Sequence, residues 1–288
     1  MTVNYLSGRG RTTDLVSMKG LAPYISIRPF AEFENIVSGF STRLGGVSEG
    51  IYESMNLAFN RGDDEERVRK NYEIIGLSLG IRVSDMVYAH QTHTSNVMRV
   101  TREHCGMGII KERSFSDMDA LITDEPGVCL VTGHADCLPL YFVDRKNKAI
   151  GLAHAGWRGT AKDIAGNVIR EMNVQFGTKP EDLVAFIGPG ICRDHYEVGE
   201  DVASQFEGRY GEVKTARVLR KLPSDPGEQK YLLNLHLANY YNMTLAGMAM
   251  EDIYMSDVCT FCNPQLFFSH RYTKGQRGGM CAFLMLKR

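Results

Sequence analysis

Cysteine and histidine occur in this sequence where turns give way to apolar runs. The segment Gly133-His134-Ala135-Asp136-Cys137-Leu138-Pro139 leads into Leu138–Val143, which ends in the polar turn Asp144-Arg145-Lys146-Asn147-Lys148. The chain then returns through Ala149–Ala153 into His154. A hairpin centred on Lys146 brings the Cys137 thiol and the His154 imidazole to one end of paired strands, within about one residue of direct opposition. Neighbours there lie roughly 4.5–5.5 Å apart. Such a pair can bind zinc, act as nucleophile and base, or sit inert in a core. Glycines and turn residues beside both strand ends favour a site. Asp136 is the candidate for supporting it or moving a proton, with a turn-stabilising hydrogen bond as the plain alternative.

His154 opens the run His154-Ala155-Gly156-Trp157-Arg158-Gly159-Thr160, which holds the only tryptophan. Glycines let backbone approach a ligand closely, and a following helix offers free N–H groups to an anion. Arg158 adds a bidentate donor for phosphate or carboxylate, or is simply a solvated arginine at a strand-to-helix turn. A third metal ligand has a source in His90-Gln91-Thr92-His93. Three protein ligands and one open position are the arrangement of catalytic zinc. A competing signal lies further on. His195-Tyr196-Glu197 with Cys259-Thr260-Phe261-Cys262 imitates the H-x-E and C-x-x-C parts of zinc deaminases, but Val258 replaces the usual proline and His195 stands far ahead of Cys259. Cys259 and Cys262 therefore read as structural thiols, with a separate metal site as the alternative.

The elements that must position these groups alternate between strand and helix. Residues 24–43 read as short strands and turns. Asp63 or Asp64 caps a helix running to about Leu79 and stopped by Gly80. Val128–Thr132, Leu138–Val143, Ala149–Ala153 and Leu183–Ile187 are continuous apolar runs, the mark of strands buried on both faces. Ala161, Ile164, Ala165, Val168, Ile169 and Met172 recur at helical spacing before Gly177, and Leu235 to Met250 reads as another helix. The polar stretch 207–230, with Pro223 and Pro226, reads as an exposed excursion. With no internal repeat or clean break, one α/β domain over 1–288 is expected, residues 1–35 forming an N-terminal extension.

Composition narrows the function. The 288 residues carry 33 Lys plus Arg against 34 Asp plus Glu, a net charge of −1, which argues against a nucleic-acid polymer or a membrane surface as partner. At 43% hydrophobic and 23% charged, the chain is an ordinary globular protein. No apolar run approaches the roughly 18 residues of a membrane span. Residues 1–23 show no signal-peptide core, and the seven scattered cysteines suit the reducing cytoplasm.

Taken together, the motifs resemble those of the YfiH-type, laccase-domain family, long labelled polyphenol oxidases and now described as purine nucleoside phosphorylases. The resemblance runs from about Phe40 to Leu286. It rests on Phe40-Ser41-Thr42-Arg43-Leu44-Gly45-Gly46, Gln91-Thr92-His93, Asp119-Ala120-Leu121-Ile122-Thr123, Ala135-Asp136-Cys137, His154-Ala155-Gly156-Trp157-Arg158, Tyr196-Glu197-Val198-Gly199, and Phe267-Phe268-Ser269-His270-Arg271. It implies a single-domain four-layer α/β/β/α sandwich with mixed sheets. It also implies a zinc centre on His93, Cys137 and His154. Phosphorolysis of adenosine, inosine and S-methyl-5′-thioadenosine, with deamination of adenosine, would follow.

On that reading Arg158, helped by Arg43 or Arg271, clamps phosphate. The expected partners are small, a purine nucleoside and phosphate, in a monomer or homodimer. Three departures stand out: His134 where a small or hydroxyl residue is usual, His195 where a cysteine is common, and Gln276-Arg277-Gly278-Gly279-Met280 in place of the usual Thr-Gly-Arg before Met. The alternatives are a Cys137/His154 hydrolase or amidase acting on a cell-wall precursor, a copper-dependent polyphenol oxidase, and an interaction module with a structural zinc. The copper reading lacks the dense histidine pattern of a multicopper cluster.

Overall fold

A computed structural model of the chain describes residues 3–7, 10–223 and 229–288. Its strands are β1 (Thr13–Val16), β2 (Tyr24–Ile27), β3 (Ile36–Ser41), β4 (Met86–Tyr88), β5 (Val97–Arg99), β6 (Ala120–Thr123), β7 (Cys129–His134), β8 (Leu138–Asp144), β9 (Ile150–Ala155), β10 (Leu183–Ile187), β11 (Glu197–Gly199), β12 (Leu219–Lys221), β13 (Lys230–Leu233), β14 (Ile253–Met255) and β15 (Met280–Leu286). The helices are α1 (Glu65–Leu79), α2 (Trp157–Ala161), α3 (Ile164–Phe176), α4 (Glu200–Ala203), α5 (Glu212–Val218) and α6 (Leu235–Leu245).

Two six-stranded sheets carry the fold, in the orders β1-β2-β3-β15-β7-β4 and β14-β10-β8-β9-β6-β5. Both are mixed. The β4–β7, β5–β6 and β10–β14 pairs are parallel and the remaining pairs antiparallel. Alternation along the strands explains why they read as unbroken apolar runs. In β15, Met280, Ala282, Leu284 and Leu286 face the other sheet, whereas Cys281, Phe283 and Met285 face α1. In β8, Tyr141 and Val143 point between the sheets, whereas Leu138, Leu140 and Phe142 point toward α3 and α6. Three apolar cores thus separate four layers: α1, the first sheet, the second sheet, and α3 with α6. This is the expected α/β/β/α sandwich. Tyr141 Oη donates to Gly39 O at 3.0 Å and ties the two sheets together across the central core.

Local signals behave as the sequence suggests at α1. Asp64 accepts from the Glu66 and Arg67 N–H groups, and Gly80 closes the helix at φ 68°; such an N-cap contributes about 1 kcal/mol. The helix expected over Leu235–Met250 stops earlier, at Leu245, because Gly247 turns the chain at φ 99°. Within the N-terminal extension, β1 and β2 pair and extend the first sheet past β3. In the stretch 207–230, expected to be exposed, Val218 at the end of α5 and Leu219 at the start of β12 are buried; residues 224–228, with Pro226, lie outside the described residues.

The hairpin of β8 and β9 pairs Leu138 with Ala155 and Pro139 with His154. Asp144 sets this register by accepting from the Lys146 and Asn147 N–H groups, both at 2.8 Å. Cys137 therefore stands diagonal to His154 rather than directly opposite, two residues off. An even offset keeps both on one face. By the alternation of their strands, that face is the one between the sheets.

Candidate metal centre

Cys137 and His154 close one end of the inter-sheet core. His93 reaches them from the loop that leaves β4 in the first sheet and enters β5 in the second. One ligand atom from each of the three lies within 4.8 Å of the others. The His93 and His154 rings are 4.9 Å apart and nearly perpendicular. Gly156 sits beside them, and a Cβ there would lie 3.0 Å from both Cys137 Sγ and His93 Cδ2. Only a glycine leaves the three ligands room to converge.

The loop carrying His93 is held at two points. The Gln91 side chain donates to Gly133 O (2.8 Å) and accepts from Gly133 N (2.7 Å), fixing the loop to the end of β7. Asp119, fully buried before β6, accepts from the N–H groups of Thr92, His93 and Thr94 and from Thr94 Oγ1. The same carboxylate accepts from His154 Nδ1 at 2.8 Å. One buried side chain thus orients two of the three ligands and leaves His154 Nε2 as the nitrogen available to the centre. Asp119 is the site residue that reading the sequence for chemistry passed over. Its only signal there was its place in the Asp-Ala-Leu-Ile-Thr motif.

The electrostatics follow from this packing. Burial opposes a charge on Asp119, but the His154 contact and the Thr94 donors outweigh it and hold the carboxyl at about 2. Burial likewise resists a thiolate at Cys137, yet His154 and His93 bring that thiol down to about 6. His154 is correspondingly pushed up to about 9, against its own burial, by Cys137 and Asp119. Cys137 is therefore predominantly thiolate near neutral pH. Two imidazoles and a thiolate are donors that suit zinc, and a carboxylate behind a ligating histidine is the usual outer support of such a site.

His134, the histidine found where the family usually has a small or hydroxyl residue, makes its hydrogen bonds away from the three ligands' side chains. Its Nε2 is 2.8 Å from Thr132 Oγ1 and its Nδ1 is 3.1 Å from Cys137 O. Burial pushes its pKa down, so it stays neutral.

All three ligands line a cavity of about 280 Å³. Arg61, Arg113 and Arg277 stand in its wall, and no Asp or Glu is among the lining residues. Arg113 Nε donates to Tyr88 O and Arg277 Nη1 to Gly278 O, whereas Arg277 Nε is buried without a hydrogen-bond partner among the described residues. Burial and the neighbouring Arg61 push Arg277 down to about 10. The arginines singled out from the sequence lie outside this wall. Arg43 donates to the carbonyls of Glu53 and Pro264. Arg158 stacks over Trp157, and Arg271 donates to Glu197 O. Asp136, at φ 84°, accepts from Thr260 Oγ1 and from Arg271 N, each at 2.7 Å.

Known proteins share this arrangement of elements. YlmD of Geobacillus stearothermophilus has a solved structure that superposes with a TM-score of 0.85 at 32% identity, covering 96% of this chain and 100% of that one. The purine nucleoside phosphorylase YlmD of Bacillus subtilis is 33% identical over 256 residues, 88% of this chain and 90% of that protein. A protein named adenosine deaminase RL5, from an unknown prokaryotic organism, is 32% identical over 244 residues, 84% of this chain and 91% of its own length. Residues 37–287 match the family described as multi-copper polyphenol oxidoreductase laccase. With the YfiH-type motifs, the four layers and these likenesses in agreement, the chain belongs to that laccase-like YfiH family.

Proposed function

We propose that this chain is a cytoplasmic, zinc-dependent purine nucleoside phosphorylase that acts on adenosine, inosine and S-methyl-5′-thioadenosine and also deaminates adenosine. The observation that carries the reading is the union, in one cavity, of a two-histidine, one-cysteine ligand set with three arginines. The names of the relatives, a nucleoside phosphorylase and an adenosine deaminase, support the substrate class.

Phosphorolysis joins a phosphate oxygen to C1′ of the ribose as the bond from C1′ to the base breaks. Arg61, Arg113 and Arg277 are the groups we assign to the phosphate. Asp119 keeps the His154 ring turned toward the centre throughout. Asp136 acts as a positioning residue, holding the turn ahead of Cys137 through Thr260 and Arg271. Zinc held by His93, Cys137 and His154 would supply Lewis acidity near neutral pH. Copper chemistry of the multicopper kind needs far more imidazole than the three histidines found in the cysteine–histidine clusters of the described residues.

The test is product analysis with adenosine, with and without phosphate. Adenine and ribose 1-phosphate appearing only with phosphate support phosphorolysis, and inosine supports deamination. The absence of both products would overturn the reading. One observation favours a second reading: Asp119, His154 and Cys137 form a carboxylate–imidazolium–thiolate series, the arrangement of a cysteine hydrolase or amidase. Protein purified without stoichiometric zinc, whose amidase or esterase activity is lost when iodoacetamide alkylates Cys137, would decide for that reading.

A further inference from the structure

A second cysteine–histidine cluster lies in the loops beside β10 and β14. Cys192 and His195 come from the turn after β10, Cys259 and Cys262 from the turn after β14. Ligand atoms of all four lie within 4.8 Å of one another. The two turns are joined by a parallel bridge between Gly190 and Cys259 and by Thr260 N donating to Gly190 O. The spacing is Cys-x-x-His and Cys-x-x-Cys, the short-range pairing found in structural zinc sites.

The four ligand atoms converge on one point. A zinc ion with bonds of about 2.3 Å to sulfur and about 2.0 Å to nitrogen places its ligand atoms roughly 3.5–3.8 Å apart. His195 Nδ1 lies 3.5 Å from Cys262 Sγ, within that spacing, and 3.1 Å from Cys192 Sγ, a little inside it. Cys259 Sγ accepts from Cys192 N at 3.2 Å, which ties the two turns together at the cluster. The His195 ring is stacked on Phe261 at 4.2 Å, which fixes its plane. All seven cysteines are free thiols. Cys192 and Cys259 are buried, so these polarizable groups face one another rather than solvent.

We infer that Cys192, His195, Cys259 and Cys262 form a second metal site, a closed four-ligand site for a structural zinc ion. The resemblance to zinc deaminases seen in the sequence is therefore partial. Cys192 fills the position that a catalytic zinc keeps open, and the Glu197 side chain is exposed. The site would fasten the turn that donates Ile191 N to Asp136 O (2.9 Å) to the turn that donates Thr260 Oγ1 to Asp136 Oδ1 (2.7 Å). Both contacts bear on the residue just before Cys137. The second metal would hold the floor of the first centre without touching it.

Zinc content of protein from zinc-supplemented cells tests this, comparing wild type with C137S and C262S. One zinc per cluster is expected in wild type, with C137S and C262S each losing a different one. A C262S protein holding as much zinc as wild type overturns the site. Since C262S risks misfolding, cobalt added to metal-free C137S protein reads the cluster with its ligands intact. Intense near-ultraviolet thiolate-to-cobalt absorption with tetrahedral visible bands is expected. A weak octahedral spectrum, or a disulfide among Cys192, Cys259 and Cys262 in freshly isolated protein, overturns the site. Zinc kept by C137S but lost by C262S, with none at the first cluster, would support this site while failing the zinc reading of the first.

Discussion

Three protein ligands face a cavity at the end of the inter-sheet core, and four face one another in the turns beside β10 and β14. The first set is gathered from strands and a crossing loop belonging to both sheets. The second comes from two adjacent turns, each contributing a pair at short spacing. Ligand number and access, rather than ligand type, separate the two. A set of three beside a cavity leaves room for a reacting molecule, whereas a set of four spends every position on the protein itself. The open set is also the one with a buried carboxylate behind it and arginines around it.

The sharpest way to break this contrast is to remove one cysteine from each set. Cys137→Ala is expected to bring turnover with adenosine to background while thermal unfolding changes little. Cys259→Ala is expected to lower stability by about 4 kcal/mol or more, the range reached when a structural metal is lost. Equal thermal shifts in the two variants would erase the distinction.

Asp119→Asn comes next. All five donors that meet this carboxylate point inward, so an amide N–H₂ on either oxygen position faces a donor. Zinc affinity or activity is expected to fall roughly 10–100-fold; an unchanged variant would make Asp119 a bystander. A smaller effect is expected at Arg277→Gln. The KM for phosphate should rise about tenfold, the value of one charged hydrogen bond, with a lesser change in kcat. A larger effect at Arg158→Gln would move the phosphate clamp to α2.

The mildest test is a pH series of iodoacetamide alkylation on metal-free protein. The Cys137 thiol sits below its usual range, so the reactive thiolate is present above about 6 and is lost as pH falls through that value. Cys259 is pushed up by the Cys192 contact and by burial, and Cys192, though pulled down by Cys259 and His195, is buried. Only Cys137 is expected to react readily at neutral pH, which peptide mapping would show.

Much of the first set was legible from the chain. Turn residues 144–148 announce a hairpin, and a hairpin carries Cys137 and His154 to one end; the even offset that also puts them on one face is set by the register and was not read from the turn. The caps at Asp64 and Gly80 and the strand Leu183–Ile187 are local signals that tertiary structure had no reason to override. What stayed hidden depends on contacts between distant segments. A lone Asp119 ahead of a strand carries no pattern of its own, although five groups from two other segments converge on it. The cavity arginines come from three loops with no common spacing. Cys192 lies far in sequence from Cys259, so the set of four could not be assembled by reading along the chain. The stop of α6 at Leu245 rests on one glycine conformation, which periodicity alone does not show.

The wall with three arginines and no carboxylate has a consequence for how substrates arrive. The chain as a whole carries a net charge of −1, but the lining of this opening is locally positive. A phosphate dianion approaching it is steered, and its association rate falls as ionic strength rises and the Debye length shrinks to about 8 Å near physiological salt. An uncharged nucleoside feels no such pull. If the proposed function holds, phosphate and nucleoside reach the same cavity with different salt dependences, which stopped-flow measurements on each alone would separate.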